Sequence, residues 1–266
     1  MSITRTLLAS DLDGTLIPLE RTPDRLKEVR ELVSAIEAVP GLRLAYVTGR
    51  HLELARTGIA EIGLPEPDWF VCDVGTSVYQ RTDVGYVADE RYRDAMRLAF
   101  GGLTGVEVEQ AIGSLEGISL QEAEKQAEFK VSYYTDGRHE GFVDAVQARL
   151  DTAGAKVSLV ASFDPVSHRG LLDILPAGVA KDYAVQYLQE RTGIEQGELI
   201  YAGDSGNDRA AMLSGYKAIV VGNADASLKR DLAAQAAPDR IYFARHPYAA
   251  GVQEGLRHFL GDRLPS

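Results

Sequence analysis

An α/β fold, a Rossmann-like parallel sheet core with helices on both faces plus an inserted α+β cap domain, is what the sequence predicts. Strand-length apolar runs alternate with helix-length amphipathic segments over the first third of the chain and again after Gly170. Turns carrying acids and glycine stand directly behind two of those runs, at 11–15 and 203–208. Between 83 and 166 the alternation gives way to strands with one or two helices and a glycine cluster, Gly101, Gly102 and Gly105.

Thr6-Leu7-Leu8-Ala9-Ser10 reads as the first strand and empties into Asp11-Leu12-Asp13-Gly14-Thr15. Thr22-Pro23-Asp24 has the form of a helix cap with proline in the first turn. Leu26, Val29, Leu32, Val33, Ile36 and Val39 follow at helical spacing until Pro40-Gly41 closes the segment. Leu42 to Val47 is a second strand, Thr48-Gly49-Arg50 opens a helix running through Ile62, and Trp69 to Cys72 is a third strand. This βαβαβ run implies parallel strands joined by right-handed crossovers. In the insertion, Phe129 to Tyr134 and Lys156 to Val160 read as strands, with a helix between them presenting Phe142, Val143, Val146 and Leu150 on one face. The core pattern resumes with a strand at Leu171 to Leu175, a helix ending near Arg191 and a strand at Leu199 to Tyr201. A short helix after Asn207, a strand at Lys217 to Val221 and a C-terminal helix through Phe259 complete it. The expected organisation is a core domain from 1–82 and 167–266, interrupted by a cap domain at 83–166.

Composition narrows the function classes. With 45% apolar and 25% charged residues among 266, the chain has the make-up of a soluble globular protein with a real core. No stretch approaches the ~20 apolar residues of a membrane span, and no basic-then-apolar leader opens the chain. Cys72 is the single cysteine, which rules out an internal disulfide and points to a reducing, cytoplasmic setting. A net charge of -11 argues against nucleic acid as partner. It leaves room for a small phosphorylated substrate, because local cations and a bound metal reverse the field inside one pocket. A monomer or small homo-oligomer is expected.

Four segments can carry chemistry. In the first, Asp11 and Asp13 supply two carboxylates separated by one residue. One carboxylate can attack a phosphoryl group, the second can shuttle a proton, and together they can hold a hard cation. A helix cap or acidic turn is the plainer reading of the same residues. In the second, the Thr48 hydroxyl and backbone N–H groups at Gly49 can bind a phosphate oxygen, or can simply cap a helix. In the third, Lys181 follows a strand and a turn; it is either a solvated lysine or an ammonium that offsets carboxylate–phosphate repulsion. In the fourth, Asp204, Asn207 and Asp208 stand in Gly203-Asp204-Ser205-Gly206-Asn207-Asp208, whose two acids can complete an all-oxygen metal site. Acids at positions 11 and 204 need a fold to bring them together, and a parallel sheet does so.

With these motifs in this order, the sequence resembles the haloacid-dehalogenase-like hydrolase superfamily over almost its whole length, in the branch containing Cof-type and sucrose-phosphate phosphatases. Tyr46 to Arg50, Pro67 to Phe70, Val74 to Tyr79, Phe129 to Tyr133 and Ala249 to Val252 resemble segments of the sucrose-phosphatase group. The resemblance implies an Mg2+-dependent phosphatase acting on a sugar phosphate, sucrose-6-phosphate foremost, through an aspartyl-phosphate. It implies Asp11 as nucleophile and Asp13 as acid and base. Mg2+ would be held by Asp11, the Asp13 carbonyl and Asp204, with Asp208 as ligand or orienter. Thr48, Gly49, Lys181 and Asn207 would hold phosphate, and Lys130 a sugar hydroxyl. Ala180-Lys181-Asp182 departs from the Asn-Lys-Gly usual in that group. That departure leaves mannosylfructose-phosphate, glucosyl- or mannosyl-glycerate phosphates and simpler hexose phosphates as alternative substrates. A phosphomutase of the same fold is the alternative reaction.

Overall fold

Apolar runs without a polar face are buried on both sides, and the runs at both ends of this chain form one sheet. In the computed structural model, which describes residues 5–136, 141–164, 169–235 and 237–264, its order is Ile241–Phe243, Lys217–Val220, Leu199–Gly203, Thr6–Ser10, Leu42–Val47, Trp69–Cys72, Ser77–Thr82 and Gly85–Ala88. The first six of these pair in parallel. From Thr6–Ser10 the chain moves outward through Leu42–Val47 to Trp69–Cys72, then returns on the other flank at Leu199–Gly203. The order therefore reverses between Thr6–Ser10 and Leu199–Gly203, and ligands of open α/β sheets bind at the carboxyl ends of such strands. Every residue of Thr6–Ser10 is buried, so the turn that follows has a rigid mount.

Helix Pro23–Glu37 starts where its cap predicts, the Thr22 hydroxyl accepting the Arg25 N–H, and buries Val29, Leu32 and Ile36. It packs with Tyr248–Leu260, which buries Val252, Leu256 and Leu260. The second helix is a correction: it spans Leu52–Ile62 and is capped by His51, not by Thr48-Gly49-Arg50. The Thr48 hydroxyl oxygen accepts the Arg50 N–H instead, turning the chain before the helix begins.

The chain divides into two compact units, Met1–Gly75 with Tyr79–Val87 and Lys181–Ser266, and Thr76–Val78 with Ala88–Ala180. The second unit holds an antiparallel sheet in the order Ile118–Leu120, Val131–Thr135, Arg169–Pro176, Val157–Asp164. Helices Glu90–Ala99, Gly105–Ile112 and Phe142–Thr152 contribute buried Tyr92, Met96, Val108, Ile112, Val146 and Leu150. Those side chains form an apolar core with Val131, Tyr133, Leu172 and Ile174. Here too the structure corrects an expectation. The run Leu171 to Leu175 belongs to this second sheet, with Ile174 opposite both Val131 and Leu159. An apolar run reads alike whichever sheet claims it, and register with distant strands decides. The return to the first unit thus falls at Lys181; the junction expected at Val166 and Ser167 lies outside the described residues.

Candidate active site

The turn Asp11–Thr15 is tied into the point of strand reversal, the Asp11 N–H donating to the Ala202 carbonyl at 2.9 Å. N–H groups of Leu16 and Ile17 converge on the Leu12 carbonyl at 2.9 and 2.7 Å, which closes the turn tightly. Gly14 takes φ 81°, and a Cβ there would collide with Asp204 Oδ2, so only glycine lets the two acidic turns meet. The Thr15 hydroxyl donates to Asp204 Oδ1 at 3.1 Å, and the Asn223 amide donates to the Gly14 carbonyl at 2.7 Å.

Carboxylate oxygens of Asp11, Asp204 and Asp208 lie within 4.8 Å of one another. Lys181, only 1% exposed, sits at the start of helix Lys181–Thr192. It donates to Asp11 Oδ1 at 2.6 Å and Asp208 Oδ1 at 2.8 Å. Asp208 Oδ1 also accepts the Tyr201 hydroxyl at 2.6 Å, and its Oδ2 accepts the N–H groups of Asp204 and Ser205, both at 3.1 Å. Asp208 is thus held from several sides, while Asp11 and Asp204 keep carboxylate oxygens for a ligand.

The electrostatics follow from three carboxylates sharing one ammonium. Burial drives the Asp11 carboxyl well above the ordinary range; Lys181 pulls it down, and Asp208 and Asp204 push it up again. Asp204 is pushed up to about 6, first by burial and then by Asp208. For Lys181 burial favours the neutral amine, but Asp11 and Asp208 outweigh it and hold the ammonium charged. Excess negative charge on hard oxygen donors fits a divalent cation such as Mg2+.

Thr48 is buried at the same edge of the sheet, one strand from Asp11, and its N–H donates to the Val71 carbonyl at 2.8 Å. Asp73 and Val74 take left-handed φ of 52° and 61°, and their N–H groups donate to the carbonyls of Arg50 and Thr48 at 3.0 and 3.1 Å. A branched side chain in that region costs on the order of 1–3 kcal/mol and persists where its surroundings hold it. Asn207 is exposed and accepts the Ser205 hydroxyl at 3.0 Å. Asp13 stands apart from the acidic cluster, exposed and bound by Arg50. Asp182 is also outside the cluster. It is half-buried in the first helical turn, where its charge helps burial push the Tyr216 hydroxyl up to about 12. Lys130 belongs to the second unit, buried, its backbone exchanging hydrogen bonds with Ala127 at 3.1 and 3.3 Å.

Tyr201, Thr15, Asn223 and Arg50 escape a reading of the sequence as site residues. Tyr201 sits in an apolar strand, where an aromatic reads as core. Thr15 and Arg50 belong to recognised segments, but their partners are 189 and 37 residues away.

The model of the sucrose-6F-phosphate phosphohydrolase family matches residues 4–260. The chain belongs to that family. It has the haloacid-dehalogenase-like hydrolase fold and is a phosphatase, a phosphoric monoester hydrolase. A HAD-like hydrolase of Nitrosococcus oceani is 34% identical, covering 97% of this chain and 72% of its own. Mannosylfructose-phosphate phosphatase of Agrobacterium fabrum is 28% identical, covering 95% of this chain and 96% of its own. Sucrose-phosphatase 1 of Nicotiana tabacum is 27% identical, and this chain spans 60% of its length. The solved sucrose-phosphatase of Synechocystis sp. PCC6803, in complex with sucrose and phosphate, aligns with a TM-score of 0.78 at 25% identity. That alignment covers 96% of this chain and 98% of the other. Among the described residues no helix is long and apolar enough to cross a membrane.

Proposed function

We propose that this phosphatase is Mg2+-dependent and hydrolyses a sugar phosphate monoester, sucrose-6-phosphate foremost, to the sugar and phosphate. The observation that carries the reading is the buried Asp11 carboxylate, hydrogen-bonded to Lys181 and set beside Asp204. Asp11 attacks phosphorus as the ester P–O bond breaks, and the leaving alkoxide takes a proton from Asp13. Water then gives a proton to Asp13 as its oxygen attacks the aspartyl-phosphate, releasing phosphate and restoring Asp11. Lys181 keeps a positive charge beside the nucleophile, so the phosphate dianion meets less repulsion. Thr48, the Gly49 N–H and Asn207 hold phosphate oxygens. Asp11, the Asp13 carbonyl and Asp204 would hold Mg2+, which when bound screens the phosphoryl oxygens. Asp208 orients Lys181 and the 203–208 turn through its own hydrogen bonds. A single, buried cysteine suits a reducing, cytoplasmic setting.

Sucrose-6-phosphate is supported by the family and by the likeness to the sucrose-phosphatase structure. Mannosylfructose-phosphate is the second reading, supported by a phosphatase of that name that this chain matches over 96% of its length. Phosphate release from these two esters, glucosylglycerate phosphate and simple hexose phosphates, with Mg2+ and with EDTA, decides among them. Preference for sucrose-6-phosphate, lost in EDTA and in Asp11→Asn, is the expected result. Preference for another ester replaces the substrate, and an isomerised sugar phosphate without free phosphate overturns hydrolysis.

A further inference from the structure

Arg50 grips the Asp13 carboxylate at two points, Nε donating to Oδ2 at 2.7 Å and Nη2 to Oδ1 at 2.5 Å. The Asp13 side chain is 45% exposed and that of Arg50 20%. An ion pair so placed adds little to stability. Yet several features fix the guanidinium. Its Nη1 donates to the Leu54 carbonyl at 3.2 Å. The Arg50 backbone is held at both ends, its N–H on the Thr48 hydroxyl and its carbonyl on the Asp73 N–H. Gly58 faces it from inside helix Leu52–Ile62, and a Cβ there would collide with Nη1. Glycine in a helix interior is disfavoured relative to alanine, so this helix carries its weakest residue where the guanidinium lies.

We infer that Arg50 is the positioning residue for Asp13. Its planar fork holds both carboxylate oxygens in one plane, which a lysine ammonium, a point donor, does not. The inference rests on the phosphatase reading above: Arg50 touches no reacting atom and acts by aiming the carboxylate that gives and then takes the proton. Gly58 acts one step further out, by leaving the space the guanidinium needs.

Rapid-mixing kinetics test this on wild type, Arg50→Met, Arg50→Lys and Gly58→Ala, with the preferred sugar phosphate and with p-nitrophenyl phosphate. Nitrophenolate leaves without protonation, so its release reports Asp11 attack alone. For Arg50→Met, kcat on the sugar ester is expected to fall about 10- to 100-fold, within what general acid–base catalysis contributes, with KM nearly unchanged. The nitrophenolate burst keeps its full amplitude and is followed by slow turnover, because water activation still needs Asp13. Arg50→Lys does not restore the rate. Gly58→Ala shows the same split with thermal stability nearly unchanged, since alanine favours the helix while the guanidinium is displaced and the tip of Ile17 gives way slightly. In an Asp13→Asn background, Arg50→Met costs nothing further. A nitrophenolate burst slowed or lost in step with the sugar-ester rate, a rescue by lysine, or additive losses in the double variant overturn the inference. Wild type that releases no phosphate from any ester sinks the underlying reading as well; an active wild type with insensitive variants sinks this inference alone.

Discussion

Asp11 and Asp13 stand two residues apart on one turn, yet the fold gives them opposite surroundings. Asp11 is 5% exposed and bonded to a still more deeply buried lysine among two more carboxylates. Asp13 is solvent-facing and held by the fork of an arginine. Both are salt bridges, but they do different things. Breaking a buried pair strands a charge in low dielectric and costs about 3–5 kcal/mol, while an exposed pair is worth about 0.2–1 kcal/mol. The buried pair therefore sets charge and stability, and the exposed pair sets direction.

The largest effect expected is at the buried side. Asp11→Asn keeps the shape of the side chain and removes the carboxylate proposed as nucleophile, and phosphate release should fall by on the order of 10^4-fold or more. A phosphate-release assay on folded protein checks it, and surviving activity would place the nucleophile elsewhere. Lys181→Met leaves the carboxylates without their ammonium and should lower the unfolding free energy by about 3–5 kcal/mol near neutral pH. Denaturant titration should show part of that loss recovered in mild acid, as Asp11 and Asp204 take protons.

The pH response follows from the same crowding. Asp204 holds its proton up to about 6 in the folded chain, above its value in the unfolded chain. Its protonated form thus stabilises the metal-free protein below the ordinary carboxylate range, and that contribution is lost as pH rises through about 6. Mg2+ needs the ionised form. The rise in Tm on adding Mg2+ should therefore be larger well above that pH than below it, and equal shifts would count against metal at Asp204. Tyr201→Phe removes one donor from Asp208 and should cost about 1.5–3 kcal/mol, as for hydrogen bonds to charged groups. Smallest of all, Arg50→Met should change stability by under about 1 kcal/mol, so a large loss in denaturant titration would erase the contrast between the two pairs.

Much of the first unit is legible because its signals are local. Thr6–Ser10, Leu42–Val47 and Trp69–Cys72 fall where continuous apolar runs put them, and Pro23–Glu37 starts at its Thr-Pro-Asp cap. The second unit is less legible. Helices Glu90–Ala99 and Gly105–Ile112 carry many charged or small residues, and their apolar faces gain meaning only against the antiparallel sheet. The Leu171 to Leu175 run is strand by local pattern but is claimed by partners that local pattern does not name. Val74 offers no turn chemistry at all, and its left-handed backbone is imposed by the Thr48 loop it binds.

By itself the sequence determined the class of chemistry: acids, a threonine, a lysine and an acidic glycine turn, in order, each behind a strand-length run. Periodicity and turn preference act between near neighbours, so they are written into the chain locally. Only the tertiary structure decided which acid is buried, which sheet owns a strand, and who pairs with whom. Lys181 meets Asp11 across 170 residues and Arg50 meets Asp13 across 37. Burial and charge pairing are properties of places where distant segments converge, and those places exist only once the sheet is assembled.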